Sequence, residues 1–175
     1  MNITWKKLSE RSEKVGYRTI IHKLYELPDG SENDYTVLDN RRGSAAVFPI
    51  TKDGKIVVAR QFRPGPEGLM DELPGGGIEP GEDPAVSAAR ELREETGYVG
   101  RLEPLMTVPR DAYTDGIWHY FIARDCERVD EVPHNDEHEF IEVIEITVEQ
   151  LVENIRNGKI TDPAAALFAL RKLGL

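Results

Sequence analysis

The chain has 175 residues, of which 32 are acidic and 22 are basic, so its formal net charge is −10. This length predicts one domain with a small appendage, and no apolar run approaches the roughly 18 residues that a membrane span needs. The acidic balance disfavours nucleic acid as a non-specific partner, and no membrane partner is expected. A single cysteine, Cys126, and an N-terminus without a secretory apolar segment predict a cytoplasmic protein with a reduced thiol.

The first forty residues indicate an antiparallel β meander. Two apolar stretches rich in β-forming residues, 17–27 and 35–40, flank Pro28-Asp29-Gly30. Pro, Asp and Gly in succession are a turn signal, because each favours a backbone conformation that reverses the chain. We therefore expect two strands joined by a turn at residues 28–30.

A hairpin of buried strands follows the meander. The stretches 44–50 and 55–62 flank Lys52-Asp53-Gly54, a turn sequence typical of hairpins. Both stretches are apolar almost without interruption, and this pattern is typical of strands that are buried on both faces. We therefore place these strands at the centre of a sheet.

Residues 84–96 are predicted to form a helix within an acidic window. Asp83 is a favourable N-cap, Pro84 suits the first helical position, and Gly97 suits the position after the last turn. The window from 79 to 95 carries six acids and two bases. The ordinary interpretation of such a run is a solvated acidic face. Only the spacing of the acids can indicate whether they instead form a site.

The acids of this helix share one face. At 100° per residue, Glu91, Glu94 and Glu95 fall within a sector about 100° wide, where their charges repel one another. A bound cation would relieve that repulsion, and Mg²⁺ prefers carboxylate, water and phosphate oxygens. The same projection assigns packing against the sheet to five other side chains: Ala85, Val86, Ala89, Leu92 and Thr96. The helix alone leaves a metal site and a merely acidic face as open alternatives.

Further β-rich stretches lie at 101–109, 117–123 and 140–146. A second acidic window, residues 129–145, overlaps the last of them and contains seven acids and no base. The rest of the chain, outside the two acidic windows, is close to neutral.

Two helices close the chain. Thr147 and Gln150 have the spacing of a capping box, which predicts a helix that ends near Gly158. Asp162 followed by Pro163 opens a second helix. Strands with interspersed helices predict an α/β protein with a mixed sheet covered by helices.

A specific spacing surrounds the acidic helix. Its pattern is G-x5-E-x7-R-E-U-x-E-E-x-G-U, where U is a bulky apolar residue, and it is formed by Gly76, Glu82, Arg90, Glu91, Leu92, Glu94, Glu95, Gly97 and Tyr98. At average residue usage, a chance match has odds on the order of one in a million. The pattern resembles the Nudix box, the signature of the Nudix hydrolases. Tyr98 stands where that family prefers an aliphatic residue.

The resemblance implies a fold and a reaction. The fold would be a Nudix-type α/β/α sandwich with a mixed central sheet, preceded by the N-terminal antiparallel β meander. The reaction would be hydrolysis of a nucleoside diphosphate that is linked to another group. By resemblance, Glu91, Glu94 and Glu95 would bind Mg²⁺ or Mn²⁺, with the carbonyl of Gly75 as a further ligand.

Two more charged residues belong to the proposed catalytic set. Glu82 lies just before the helix and Arg90 lies two turns along it. An ion pair between them would pin the loop to the helix and orient the neighbouring glutamates.

In the ADP-ribose pyrophosphatase branch of the family, an acidic segment supplies a glutamate that activates the attacking water. Glu137 best matches that position, and Glu139 is the alternative or a metal partner. A general base must come within hydrogen-bond reach of its water. A solvated acidic loop is the other interpretation of this segment.

Residues 57–82 also resemble ADP-ribose and nucleoside diphosphate sugar pyrophosphatases. There, the arginine that matches Arg63 contacts the substrate, and the glutamate that matches Glu72 lies near the diphosphate. Without the resemblance, Arg63 would be an exposed strand residue and Glu72 the partner of a base.

The N-terminal meander resembles a small β domain that those enzymes exchange within a homodimer. We accordingly divide the chain into a β subdomain, 1–42, and a Nudix hydrolase domain, 43–175, and expect a homodimer. Trp5 of the meander is a candidate substrate contact, although an aromatic residue in a meander is more often part of a core.

One segment departs from the ADP-ribose pattern. Those enzymes usually carry a proline about 16 residues beyond the box, where this chain has residues 111–116, Asp-Ala-Tyr-Thr-Asp-Gly. A tyrosine near this place instead resembles the sequence pattern of the diadenosine polyphosphate hydrolases. Tyr113 is therefore a further candidate to contact base or sugar. The favoured function is Mg²⁺-dependent cleavage of ADP-ribose or another nucleoside diphosphate sugar. Dinucleoside polyphosphates or nucleoside triphosphates are the alternative substrates, and a non-catalytic metabolite sensor is a third interpretation.

Overall fold

The computed structural model describes residues 3–129 and 140–175. Their strands are, in chain order, β1 (Lys6–Val15), β2 (Arg18–Glu26), β3 (Glu32–Asp39), β4 (Ser44–Thr51), β5 (Ile56–Arg63), β6 (Gly68–Glu72), β7 (Gly75–Gly77), β8 (Tyr98–Pro109), β9 (Thr114–Asp115), β10 (Ile117–Arg128) and β11 (Glu142–Ile146). The helices are α1 (Pro84–Thr96), α2 (Val148–Arg156) and α3 (Pro163–Leu173). None of the described helices is long and apolar enough to cross a membrane.

The chain forms two compact units, one of residues 1–42 and 109–117 and the other of 43–108 and 118–175. The first unit contains a sheet with the order β1-β2-β3-β9, in which β1, β2 and β3 pair antiparallel. The predicted meander is confirmed, and Gly30 adopts a left-handed φ of 82° in its turn. β1 was not predicted, because all ten of its residues are exposed and it has no apolar alternation.

The second unit contains a seven-stranded mixed sheet with the order β11-β5-β4-β10-β8, with β6 paired to β5 and β7 paired to β4. β4 is antiparallel to β5 and parallel to β10. Seven of the eight residues of β4 are buried, which confirms the predicted central hairpin. The sheet therefore places β4 between strands on both sides and helices on both faces.

Alternate residues of β4 and β5 point to two separate cores. Ala45 and Val47 lie in a buried cluster with Leu92 of α1. Phe48 lies in a second cluster with Leu151 of α2 and with Ala165, Ala166, Ala169 and Leu170 of α3. The predicted α/β/α sandwich is thus confirmed, with α1 on one face of the sheet and α2 and α3 on the other.

α1 begins and ends where the sequence predicts. The side chain of Asp83 accepts a hydrogen bond from the backbone N–H of Ala85, and Gly97 has the left-handed φ of 73° that a C-cap requires. The predicted packing face is wrong in part: Val86 is 59% exposed and Ala89 is exposed. Ser87 and Ala88 are buried instead, because their small side chains allow the helix to approach the sheet closely.

The C-terminal helices follow their sequence signals with one difference. Both hydrogen bonds of the capping box between Thr147 and Gln150 are present. Among the described residues, the carboxylate of Asp162 makes no capping bond to α3. It accepts hydrogen bonds from the hydroxyl of Tyr120 at 2.9 Å and from that of Thr161 at 2.8 Å.

Candidate active site

One arginine binds three carboxylates at α1. Nη1 of Arg90 donates to Oε1 of Glu91 at 2.8 Å and to Oε2 of Glu94 at 2.9 Å. The other edge of the guanidinium binds Glu82, with Nε to Oε1 at 3.0 Å and Nη2 to Oε2 at 3.1 Å. The predicted ion pair between Glu82 and Arg90 is therefore present, and it joins the preceding loop to the helix.

These contacts keep both partners of the pair charged at neutral pH. The hydrogen bond from Arg90 is the main cause that lowers the pKa of Glu82 to about 2. The hydrogen bond to Glu82, followed by those to Glu94 and Glu91, raises the pKa of Arg90. A hydrogen bond to the charged form of a group favours that form.

The glycine strand β7 supplies backbone groups to the same face of α1. The N–H of Gly75 donates to Oε2 of Glu95 at 2.9 Å, and the carbonyl of Gly77 accepts from Nη2 of Arg90 at 3.3 Å. The residues that flank β7 are bonded toward β4. The N–H of Val47 in β4 donates to the carbonyl of Pro74, and the N–H of Ile78 donates to the carbonyl of Gly43, which precedes β4. Backbone groups alternate in an antiparallel ladder, so the N–H and C=O of Gly75 both point away from β4.

The glycines at both positions leave room for close neighbours. A Cβ on Gly75 would lie 2.4 Å from the carbonyl oxygen of Ala45 and 2.7 Å from Cα of Ala46. A Cβ on Gly76 would lie 2.5 Å from Oε1 of Glu91. The glycines therefore let β7 contact β4 on one side and the Glu91 carboxylate on the other.

The donor set at this face fits a hard divalent cation in its chemistry. Glu91, Glu94, Glu95 and the Gly75 carbonyl are all oxygen ligands, which Mg²⁺ and Mn²⁺ prefer. Within residues 3–129 and 140–175, no three His, Cys, Asp or Glu side chains are already arranged as a metal site. Glu91 and Glu94 are instead held by Arg90, and Glu95 is held by the N–H of Gly75.

Arg63 and Glu72 form a second ion pair on the α1 face of the sheet. Nε of Arg63 donates to Oε1 of Glu72 at 2.6 Å, and Nη2 donates to Oε2. Glu72 also accepts from Nε2 of Gln61. Val57 of the same strand belongs to the α1-side core, and residues two apart share a face. Arg63 and Gln61 therefore lie on the face that carries the acidic helix, and Glu72 has a basic partner there.

A buried carboxylate ties the opposite face of the same hairpin to α2. Asp71 is 3% exposed and accepts from Nε of Arg60 at 2.7 Å and from Nδ2 of Asn154 at 2.6 Å. Sequence reasoning did not identify this cluster. Its members are distant in the chain, and only the register that places Arg60 opposite Asp71 brings them together.

Trp5 and Tyr113 belong to the first unit. The ring centroid of Trp5 lies 5.0 Å from that of Tyr35 and 5.9 Å from that of Tyr25, and its side chain is 46% exposed. Tyr113 is 64% exposed, and its carbonyl accepts a hydrogen bond from Leu38 N–H at 2.8 Å. Trp5 therefore packs in an aromatic cluster with one face accessible, whereas the ring of Tyr113 is largely in solvent.

The two candidates for the general base, Glu137 and Glu139, lie outside the described residues. Two other contributors to the site were missed by sequence reasoning. Ser87 contacts Nη2 of Arg90 through its Oγ at 3.3 Å, and Gln61 contacts Glu72. The i,i+3 spacing of Ser87 and Arg90 on one helix was a signal for the first.

The chain is similar to known proteins over most of its length. The NUDIX domain model matches residues 40–167. An ADP-ribose pyrophosphatase of Bacillus subtilis (strain 168) is 34% identical over 86% of this chain and 81% of its own length. A methanol dehydrogenase activator of Bacillus methanolicus is 35% identical over 78% of this chain and 75% of its own length.

A solved structure shares the fold. It is described as an ADP compounds hydrolase, and it superposes with a TM-score of 0.83 over 99% of this chain and 97% of its own, at 19% sequence identity. The domain match covers well over half of the chain and includes α1 with Arg90 and its three carboxylate partners. The chain therefore belongs to the Nudix hydrolases.

Proposed function

We propose that this enzyme hydrolyses the diphosphate bond of ADP-ribose or another nucleoside diphosphate sugar, giving a nucleoside monophosphate and a sugar phosphate. The observation that carries the proposal is the carboxylate face of α1, gathered by Arg90 beside the backbone of Gly75. The ADP-ribose pyrophosphatase of Bacillus subtilis, similar over most of both chains, supports the choice of substrate.

Glu91, Glu94, Glu95 and the carbonyl of Gly75 are the proposed ligands of Mg²⁺, for which Mn²⁺ can substitute. The bound metal would polarise a phosphoryl oxygen and lower the pKa of a water molecule. Anchored by Glu82, Arg90 keeps the glutamates on one face and fixes the loop before the helix.

The remaining roles are proposed for residues outside α1. Arg63 is the proposed contact to the diphosphate, because its exposed guanidinium lies on the α1 face and is oriented by Glu72. Trp5 and Tyr113 are proposed to contact base or sugar. Glu137 is the proposed general base that takes a proton from the attacking water, with Glu139 as the alternative.

We further propose a homodimer in the cytoplasm, with a β subdomain of residues 1–42 and a hydrolase domain of 43–175. Exposed apolar side chains of the first unit support self-association, among them Val15 of β1, which is 56% exposed, and Tyr17 in the turn after it, which is 85% exposed. The chain has a single cysteine, Cys126, and so cannot form an intramolecular disulfide, which fits a reducing compartment.

A second candidate function is hydrolysis of dinucleoside polyphosphates. The segment 111–116 favours it, because it has Tyr113 where ADP-ribose pyrophosphatases usually have a proline-containing turn.

A substrate panel with Mg²⁺ tests the proposal. Rates would be measured for ADP-ribose, another nucleoside diphosphate sugar, a diadenosine polyphosphate and ATP, with all phosphate-containing products identified. The highest kcat/KM is expected for ADP-ribose or the nucleotide sugar. Faster cleavage of the diadenosine polyphosphate would favour the second function, and binding without turnover of any of the four would contradict hydrolysis.

Two variants connect activity to the residues. Glu95→Gln removes a proposed metal ligand and should reduce kcat by roughly 100-fold or more. Glu153 is an exposed glutamate of α2, so Glu153→Gln is the matched control and should retain the wild-type rate. If Glu95→Gln and Glu137→Gln both left turnover unchanged, the metal and base assignments would be wrong.

A further inference from the structure

Tyr98 links the end of α1 to the far edge of the sheet. It begins β8, which stands at one end of the strand order, whereas β11 stands at the other end. The hydroxyl of Tyr98 donates to Oε1 of Glu145 on β11 at 2.5 Å. Its ring is buried in the same cluster as Ala88 and Leu92 of α1. One side chain thus packs beneath the acidic helix and bonds to an edge strand.

The turn that precedes Tyr98 is fixed by further hydrogen bonds. The N–H of Gly97 donates to the carbonyl of Arg93 at 2.8 Å, and the carbonyl of Gly97 accepts from Val129 N–H at 2.9 Å. The N–H of Tyr98 donates to Oγ1 of Thr96 at 3.2 Å. Glu94 and Glu95 lie in the helical turn that these bonds terminate. The position of those two carboxylates therefore depends on how the chain is held after Thr96.

The Tyr98 hydroxyl is suited to a permanent donor role. Burial, followed by the hydrogen bond to Glu145, raises the pKa of Tyr98 to about 12. The group stays protonated throughout the neutral range and can donate there. An aliphatic residue, which the Nudix pattern prefers at this position, cannot form the bond. The contact is therefore a feature of this chain rather than of the motif.

We propose that Tyr98 is a positioning residue. Its hydrogen bond to Glu145 fixes the last turn of α1, which carries Glu94 and Glu95, in place relative to β11. This inference rests on the proposed function, because it assigns Glu94 and Glu95 to the metal. Loss of the hydroxyl would leave the core packed and would loosen the two carboxylates.

Tyr98→Phe tests the proposal with Tyr120→Phe as a matched control. Both variants delete a tyrosine hydroxyl that donates to a carboxylate, but Tyr120 bonds to Asp162 on the opposite face of the sheet. The measurement is the Mn²⁺ dissociation constant from electron paramagnetic resonance, together with Tm in the absence of metal. Tyr98→Phe should weaken Mn²⁺ binding measurably and by at most roughly fivefold, because that factor is the whole contribution of one hydrogen bond. The two variants should lower Tm by similar amounts, because each loses one hydrogen bond. Tyr120→Phe should leave Mn²⁺ binding unchanged.

Variants of Glu145 test the bond from its other side, where the residue is exposed and folding is not at stake. Glu145→Gln keeps the acceptor oxygen and should bind Mn²⁺ like the wild type, whereas Glu145→Ala should match Tyr98→Phe. The double variant Tyr98→Phe/Glu145→Ala should bind no more weakly than either single variant, because both remove the same bond.

The outcomes separate this inference from the proposed function. If the wild-type protein binds Mn²⁺ and Tyr98→Phe binds it as tightly as Tyr120→Phe does, the positioning role is overturned and the proposed function stands. If the wild-type protein binds no Mn²⁺ and hydrolyses no nucleotide, both are overturned. Additive losses in the double variant would also overturn the shared role of Tyr98 and Glu145.

Discussion

Replacement of Gly76 by alanine should separate activity from stability. The added Cβ would lie 2.5 Å from Oε1, 2.6 Å from Cδ and 2.7 Å from Oε2 of Glu91. Ordinary contacts of a Cβ begin at 3.4 Å, so the carboxylate must move by roughly 1 Å, and a displacement of that size near reacting groups can cost about 100-fold in rate. We therefore expect Gly76→Ala to lose about 100-fold in kcat if Glu91 is a metal ligand.

The same substitution should cost little stability. The atoms in its way are the end of a flexible side chain, which can rotate, and alanine loses less backbone entropy on folding than glycine. The expected change in unfolding free energy is within about 1 kcal/mol, equivalent to roughly 2–4 °C in Tm for a chain of this size.

Two neighbouring glycines provide the controls. No described heavy atom lies within 4 Å of the Cβ position of Gly77, so Gly77→Ala should retain both rate and Tm. Gly75→Ala would press on the backbone of Ala45 and Ala46, and this overpacking should lower Tm by roughly 5–10 °C. The assay measures the initial rate at saturating Mg²⁺ and Tm without metal for all three variants. A wild-type rate in Gly76→Ala, or an equal loss in Gly77→Ala, would refute the reasoning.

Three further predictions concern stability and reactivity. Because Arg90 lowers the folded-state pKa of Glu82 to about 2 from the ordinary 4.5, its ion pair stabilises the fold fully above pH 4.5 and loses that effect as pH falls toward 2. The Tm difference between wild type and Glu82→Gln should therefore be constant above pH 4.5 and shrink below it; a constant difference down to pH 2.5 would contradict the ion pair. Leu92→Ala, at a fully buried position of α1, should cost about 2–5 kcal/mol in thermal unfolding, whereas Val86→Ala should stay within about 0.5 kcal/mol. Equal losses in the two variants would mean that α1 packs on the face predicted from its apolar pattern. Burial raises the pKa of the Cys126 thiol to about 12, so a thiol reagent at pH 8 should label it only after denaturation, and rapid labelling of the folded protein would show that the thiol is accessible.

The sequence predicted those features that depend on local chemistry. Asp83, Pro84 and Gly97 fixed the ends of α1, because capping and left-handed termination are properties of single residues. The pairing of Glu82 with Arg90 followed from their spacing. The packing face of α1 could not be predicted from apolarity, since the helix buries Ser87 and Ala88 and leaves Val86 exposed.

Features that depend on pairing between distant segments were not accessible from the pattern. β1 carries no apolar alternation, and its pairing with β2 alone defines it as a strand. Arg63 and Glu72 meet only because the β5–β6 register places them on one face. The contact of Tyr98 with Glu145 depends on the whole strand order, so the sequence indicated only that Tyr98 departs from the motif.

The most direct test of the proposed function follows ADP-ribose with the purified enzyme by ³¹P NMR, in Mg²⁺ and in EDTA. We predict equimolar AMP and ribose 5-phosphate in Mg²⁺, and intact ADP-ribose in EDTA. Unchanged ADP-ribose in Mg²⁺, or the same products at the same rate in EDTA, would contradict a metal-dependent pyrophosphatase built on the carboxylate face of α1.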